Sequence, residues 1–165
     1  MIFHRIFDEI DYTNIKTLVD NKIRERQNLE YKRKVWKSID NETREMLRDI
    51  TSMANAYGGY IILGIDADND GIPVSVIGVD NTENERDRIQ SSCISSIEPR
   101  IPGFKIKTVA VNDEESLILI FVPRSTRAPH MVTFKGLNQF WIRHDRQKSP
   151  MSIEEIREAC LRVEN

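Results

Sequence analysis

The chain has 165 residues, 39% of them hydrophobic and 30% charged, which fits one globular domain with its own core and excludes a disordered chain. Its apolar runs are too short to span a membrane, and the N-terminal MIFHRIFDEIDYTN is acidic and lacks the long apolar stretch of a secretory signal, so a cytoplasmic protein with no membrane partner is expected. A formal net charge of −2 excludes a protein coated in positive charge but leaves room for a local basic patch.

Residues 1–22 carry weak helical periodicity in Ile6, Ile10, Ile15, Leu18 and Val19 and read as an N-terminal helical segment; residues 23–165 read as the domain proper. In NLEYKRKVW, Leu29 and Tyr31 alternate with Glu30 and Lys32, the pattern of a half-buried strand. A clear helix follows. Asp40 or Asn41 can cap it, Met46, Leu47, Ile50, Met53, Ala54 and Tyr57 form one apolar stripe, and Gly58 and Gly59 stop it. YIILGI reads as a buried strand, DADNDG as a turn and IPVSVIGV as the returning strand, with Pro73 near its start.

Thr82 and Glu85 have capping-box spacing before a helix that carries Ile89, Cys93, Ile94 and Ile97 and ends before Pro99. FKIKTVAVN and SLILIFVPR form a hairpin about NDEE, and HMVTF and QFWIRH form another about KGLN. Ser152 and Glu155 form a second capping box, opening a last helix with Ile153, Ile156, Ala159, Cys160 and Val163. The order is β-α-β-β-α-β-β-β-β-α. Hairpins dominate and helices are interspersed, so the fold class is α+β with a mixed, largely antiparallel sheet. Cys93 and Cys160 each fall on an apolar helix face and are expected to be reduced core thiols; no Cys/His spacing suits zinc.

The chemistry concentrates in GGYIILGIDADNDG. It lacks the lysine and Ser/Thr of a phosphate-binding loop and runs from helix into strand, the wrong order for one, so no nucleotide cofactor is expected. Asp66, Asp68, Asp70 and Gly71 match the start of a calcium loop, but Ile77 stands where a bidentate Glu belongs. A plain hairpin turn accounts for these residues. Glu25 and Glu30 change the balance. If the two central strands are neighbours, Glu30 and Asp66 converge at one sheet edge, where carboxylates can hold Mg²⁺ or Mn²⁺ and act on a phosphodiester; the alternative is surface charge paired with nearby Lys and Arg. Three basic groups are candidates for phosphate contacts: Lys32, Lys34 and Lys37; Arg124 and Arg127; Arg143, Arg146 and Lys148. Their alternative role is salt bridging. Trp36 and Trp141 read as core or rim packing before base stacking, and His130 and His144 as surface residues before general acids or bases.

The segments ERQNLEYKRK, ITSMANAYGGYIILGIDADNDGIPVSVIGV, IEPRI, VPRSTRAPHMV and FWIRHDRQKSPMS follow one another in an order that resembles the Schlafen-type AlbA-like domain, over roughly residues 23–160. The resemblance implies an α+β fold, binding of RNA or DNA, and a place at the N-terminus of larger regulatory proteins or in a homo-oligomer. In the family's nucleases it also implies a three-carboxylate site that cleaves structured RNA with Mg²⁺ or Mn²⁺. The matching positions are Glu25 and Glu30, spaced E-x4-E, and Asp66, with Asp68 as substitute; Lys32 would stabilise phosphate charge. Two functions are therefore carried forward: a metal-dependent endoribonuclease, and a non-catalytic DNA-binding or interaction module.

Overall fold

A computed structural model describes residues 2–162. Its elements in chain order are α1 (Tyr12–Asp20), β1 (Leu29–Lys32), α2 (Asp40–Ala54), β2 (Gly59–Leu63), β3 (Ile65–Ala67), β4 (Pro73–Val76), α3 (Thr82–Ser96), β5 (Ile97–Glu98), β6 (Lys105–Ala110), β7 (Ser116–Val122), β8 (Met131–Val132), β9 (Gln139–His144), β10 (Gln147–Pro150) and α4 (Ile153–Cys160). The class is α+β. Among the described residues no helix is long and apolar enough to cross a membrane.

The main sheet has the order β1-β2-β7-β6. β1 runs parallel to β2, with Glu30 opposite Ile61 and Lys32 opposite Leu63, and the other pairs are antiparallel. Both faces are covered, which explains why YIIL and LILIFV are apolar without alternation. Ile61, Leu63, Ile118, Ile120 and Val122 face α2 and α3 in one core. Leu29, Tyr31, Ile62, Leu117 and Leu119 face the N-terminal segment and α1 in the other. Because side chains alternate along a strand, placing Leu29 and Tyr31 in the second core turns Glu30 and Lys32 towards α2.

A second sheet, β10-β9-β8-β5, lies against the other side of α2. The helix is thus enclosed, and Met46, Leu47, Ile50, Met53 and Ala54 have no exposed surface. Two of its buried polar side chains are satisfied locally: Thr51 Oγ1 donates to the Leu47 carbonyl (2.7 Å) and Ser52 Oγ to the Asp49 carbonyl (2.9 Å). Asn55, just past the last turn, joins helix to second sheet. Its Nδ2 donates to the carbonyls of His130 (3.1 Å) and Trp141 (2.8 Å), and its Oδ1 accepts from the His130 N–H (2.7 Å).

Several local expectations need correction. The YIILGI strand breaks at Gly64 (φ +102), so β2 belongs to the main sheet while β3 pairs with β4. The α2 N-cap is Ile39, with no side-chain cap; Glu42 accepts from the Lys37 N–H instead. At α3 the capping position is Asn81, in the left-handed region, and Glu85 pairs with Arg88 rather than closing a box. The α4 box is present as expected, with Ser152 and Glu155 bonded reciprocally. Ile94 and Ile153 are exposed rather than core, and so is Cys160, whereas Cys93 is buried, which pushes its thiol up to about 12. Val163 lies outside the described residues. The sequence reading lacked β5 and β10.

Gly58 ends α2 as expected: it has φ +71 and donates to the Met53 carbonyl (2.8 Å). A Cβ there would also strike the backbone of Val122, Pro123 and Arg124. Gly58→Ala is therefore expected to lower stability by more than about 2 kcal/mol, read from urea unfolding, with strain and overlap both contributing.

Candidate functional site

The parallel pairing of β1 and β2 and the enclosure of α2 assemble a band of charges between the two sheets. Asp49, on α2, has a side chain only 3% exposed. Its Oδ2 accepts from Trp36 Nε1 (3.1 Å) and lies 3.3 Å from Lys32 Nζ; its Oδ1 lies 2.8 Å from Lys148 Nζ, which also bonds Glu45. Glu30 lies 3.2 Å from Arg143 Nη1 and 3.8 Å from Lys32 Nζ. Arg143 is itself buried, and its Nη2 donates to the carbonyls of Arg26 (3.0 Å) and Leu29 (3.4 Å). Glu25 accepts from the Tyr31 N–H (2.9 Å) and lies 3.4 Å from Arg146. Four carboxylates thus face four cations contributed by β1, β9, β10 and the turn between the last two.

Burial raises the Glu30 carboxyl above its ordinary value, and the charges of Asp49 and Glu25 add to this; Lys32 and Arg143 only partly offset it. For Lys32 and Lys148 burial acts downward, but Asp49 and its carboxylate neighbours outweigh it and hold both ammoniums above their ordinary value.

The 66–71 turn packs beside this band. Asp68 Oδ1 accepts from the N–H groups of Asp70 and Ile72 (2.9 Å each), so it caps its own turn. Gly71 has φ +80, and a Cβ there would meet Arg146 and Glu25 at 2.9 Å. Arg146 also donates to the Asn69 carbonyl (3.2 Å). Asp66 lies apart, past the Gly64 break, and pairs with Arg33 (3.1 Å).

The three carboxylates expected to share an ion therefore each face an arginine of their own: Glu25 with Arg146, Glu30 with Arg143 and Asp66 with Arg33. Among the described residues no three His, Cys, Asp or Glu side chains gather closely enough to hold a metal. As arranged, this donor set does not fit a three-carboxylate metal centre.

The eight candidate phosphate contacts divide in two. Lys32, Arg143, Arg146 and Lys148 belong to the internal band. Lys34, Lys37, Arg124 and Arg127 are exposed and have no carboxylate partner among the described residues. Lys34 and Lys37 line a cleft with Arg33, Arg88, Asp80 and Glu85, the last of which is paired with Arg88. Trp36 is buried, as expected, with Lys32 5.3 Å from its ring centre, and Arg48 stacks 4.8 Å from the Trp141 ring. His144 is exposed and pairs with Glu155 (2.9 Å). His130 is fully buried rather than on the surface. Its Nδ1 is 2.7 Å from the Pro99 carbonyl, and burial lowers its pKa. Sequence reasoning missed Asp49 and Asn55. Asn55 stands within the ANAYGG motif, so a signal existed; Asp49 looks like any helical surface acid until two sheets enclose it.

Residues 25–152 match the family described as Schlafen, AlbA_2, and the chain belongs to that family. No curated protein sequence matches it. Among solved structures it is similar to the DIP2311 protein from Corynebacterium diphtheriae (18% identity, TM-score 0.56, covering 88% of this chain and 27% of that one). It is also similar to the N-terminal domain of a putative ATP-dependent DNA helicase RecG-related protein from Nitrosomonas europaea (15% identity, TM-score 0.53, covering 87% and 94%). At these identities the likeness is one of fold. The chain spans about a quarter of the length of DIP2311.

Removing Arg143 would leave Glu30 buried without its guanidinium. Arg143→Ala is expected to cost about 3–5 kcal/mol in urea unfolding at pH 7, with part recovered when Glu30→Gln is added. The Glu30 carboxyl also carries a pH signature. Its folded pKa lies above the ordinary 4.5, so the folded state binds the extra proton, and its contribution to stability falls as pH rises from about 4.5 through the raised value. Unfolding measured from pH 4.5 to 8 should show Glu30→Gln gaining on the wild type as pH rises. A constant difference would contradict the raised pKa.

Proposed function

We propose that this domain binds nucleic acid through the phosphate backbone, as a module of a larger regulatory protein. One observation carries the reading: in a chain of net charge −2, Lys34, Lys37, Arg124 and Arg127 are exposed with no carboxylate partner among the described residues. Uncompensated surface cations are what a phosphate backbone recruits, releasing its own counterions as it binds. Membership of the Schlafen, AlbA_2 family supports the reading. So does the description of one structural neighbour as the N-terminal domain of a helicase-related protein, with the modular use that implies.

Binding of labelled duplex DNA and structured RNA, followed by anisotropy at increasing salt, tests this. Affinity should fall steeply with salt. The Lys34→Ala, Lys37→Ala double variant should bind more weakly, with an unchanged melting temperature. On duplex DNA its salt slope should be shallower by about 0.9 for each phosphate that the variant no longer neutralises. Absence of binding at low salt would overturn the reading. Adding Mn²⁺ to the RNA samples tests the endoribonuclease alternative. The arginine partners of Glu25, Glu30 and Asp66 lead us to expect intact RNA; cleavage that Glu30→Ala abolishes would establish the nuclease instead.

A further inference from the structure

A second polar cleft opens at the C-terminal end of α2, lined by Tyr57, Arg124, Arg143 and Arg162, with Gln27 at one side and Glu158 of α4 at another. Tyr57 is unusual. Helical periodicity assigns it to the apolar stripe of α2, but the helix stops at Ala54, and Tyr57 leaves the core 61% exposed. Its backbone is nonetheless fixed. Ala56 and Gly58 on either side both donate to the Met53 carbonyl, and Asn55 is clamped to the second sheet. The ring is thus an exposed aromatic face on a rigid mount, with the Arg124 guanidinium 5.5 Å from its centre.

Positive charge accumulates around it. Arg162 donates only to main-chain carbonyls, of Ser125 (3.1 Å) and Asn55 (3.0 Å), and has no carboxylate partner among the described residues. The nearby charge of Arg124 adds to burial in disfavouring its protonated form. Arg143, 3% exposed, lines the same cleft, and its Nε is buried with no hydrogen-bond partner. Two acids line the cleft as well. Glu155 is engaged by His144 and by the cap of α4, and Glu158 is exposed with no ion pair among the described residues. Arg143 is neutralised by Glu30, but Arg124 and Arg162 have no ion-paired carboxylate among the described residues, and beside the unpartnered buried N–H of Arg143 they form a receptor for an anion.

We propose that this cleft takes one unpaired nucleotide of a single strand, its base stacked on Tyr57 and its phosphate held by Arg124 and Arg162. The stacking face decides for single strands: in a duplex the base faces are already stacked on each other, so a surface ring can use only an unpaired base. The proposal rests on the nucleic-acid reading above and adds a site and a strand preference to it.

The test uses the whole chain and labelled 12-nucleotide oligonucleotides of RNA and DNA, single-stranded and as duplexes of equal length. Tyr57→Ala should weaken single-strand binding between about 5- and 150-fold, the range for removing one base stack, and leave duplex binding within about twofold. Tyr57→Phe should bind as the wild type does, and Arg124→Ala should lower the single-strand salt slope by about 0.7. Both side chains are exposed, so melting temperatures should stay unchanged. If the wild type binds nucleic acid and Tyr57→Ala binds single strands equally well, this site is overturned and the general reading stands. If nothing binds at low salt, both fall.

Discussion

The architecture depends on a single buried carboxylate. Asp49 sits on a helix enclosed between two sheets, with its side chain almost removed from water, and receives an indole N–H from the loop after β1 and ammonium groups from both sheets. A charge in that position is tolerable only while its partners are in place. Lys32 can reach it because β1 presents Glu30 and Lys32 towards α2. Lys148 can reach it because β10 folds back along β9 through a two-residue turn with Asp145 in the left-handed region. The ion pairs thus contribute position more than energy. They tie β10, otherwise an edge strand of polar residues, to the same helix that the main sheet packs on.

The same coupling accounts for what was and was not legible in the sequence. α2 announces itself through its helical period, and β2 and β7 through short unbroken apolar runs, because burial of one helix face or of both sheet faces imposes those patterns. β10 does not: QKSP has no apolar alternation, and its place is set by Lys148 meeting Asp49 about a hundred residues upstream. Thr82 and Glu85 had capping-box spacing, but Asn81 enters the helix with positive φ and leaves that spacing unused. Of the candidate site, the individual acids were readable and their partners were not. Glu30 and Arg143 are 113 residues apart, and nothing local to ERQNLEYK indicates which cation closes over it. Cys160 and Ile153 were assigned inward by helical phase, while α4 buries mainly Ala159.

An overall acidic chain can still offer basic surface locally, where exposed cations gather without paired carboxylates. Four of the cations that look equivalent in sequence are drawn inward to neutralise Glu25, Glu30, Glu45 and Asp49. That internal neutrality removes four acids from the outer field as well as four bases. What remains outside includes Lys34, Lys37, Arg124 and Arg127 at the ends of strands and in loops, where they cost no desolvation until a ligand arrives. Other acids lie in the N-terminal segment and on α3 and α4, and some of them, Glu85 and Glu158 among them, border the basic clefts.

The two exposed basic regions differ in what accompanies them, and this separates two modes of recognition. Around Lys34 and Lys37 there is charge on flexible stems and no exposed aromatic ring, which suits a regular backbone read as a line of phosphates. Around Arg124 there is a ring held by the stop of α2. The stop requires Gly58, because the backbone after β7 passes where a Cβ would stand. The glycine that ends the helix is therefore the residue that brings Tyr57 out of the core beside Arg124. A sequence feature that first reads as punctuation, the glycine pair after an apolar helix, becomes the device that mounts an aromatic face on the surface of the domain.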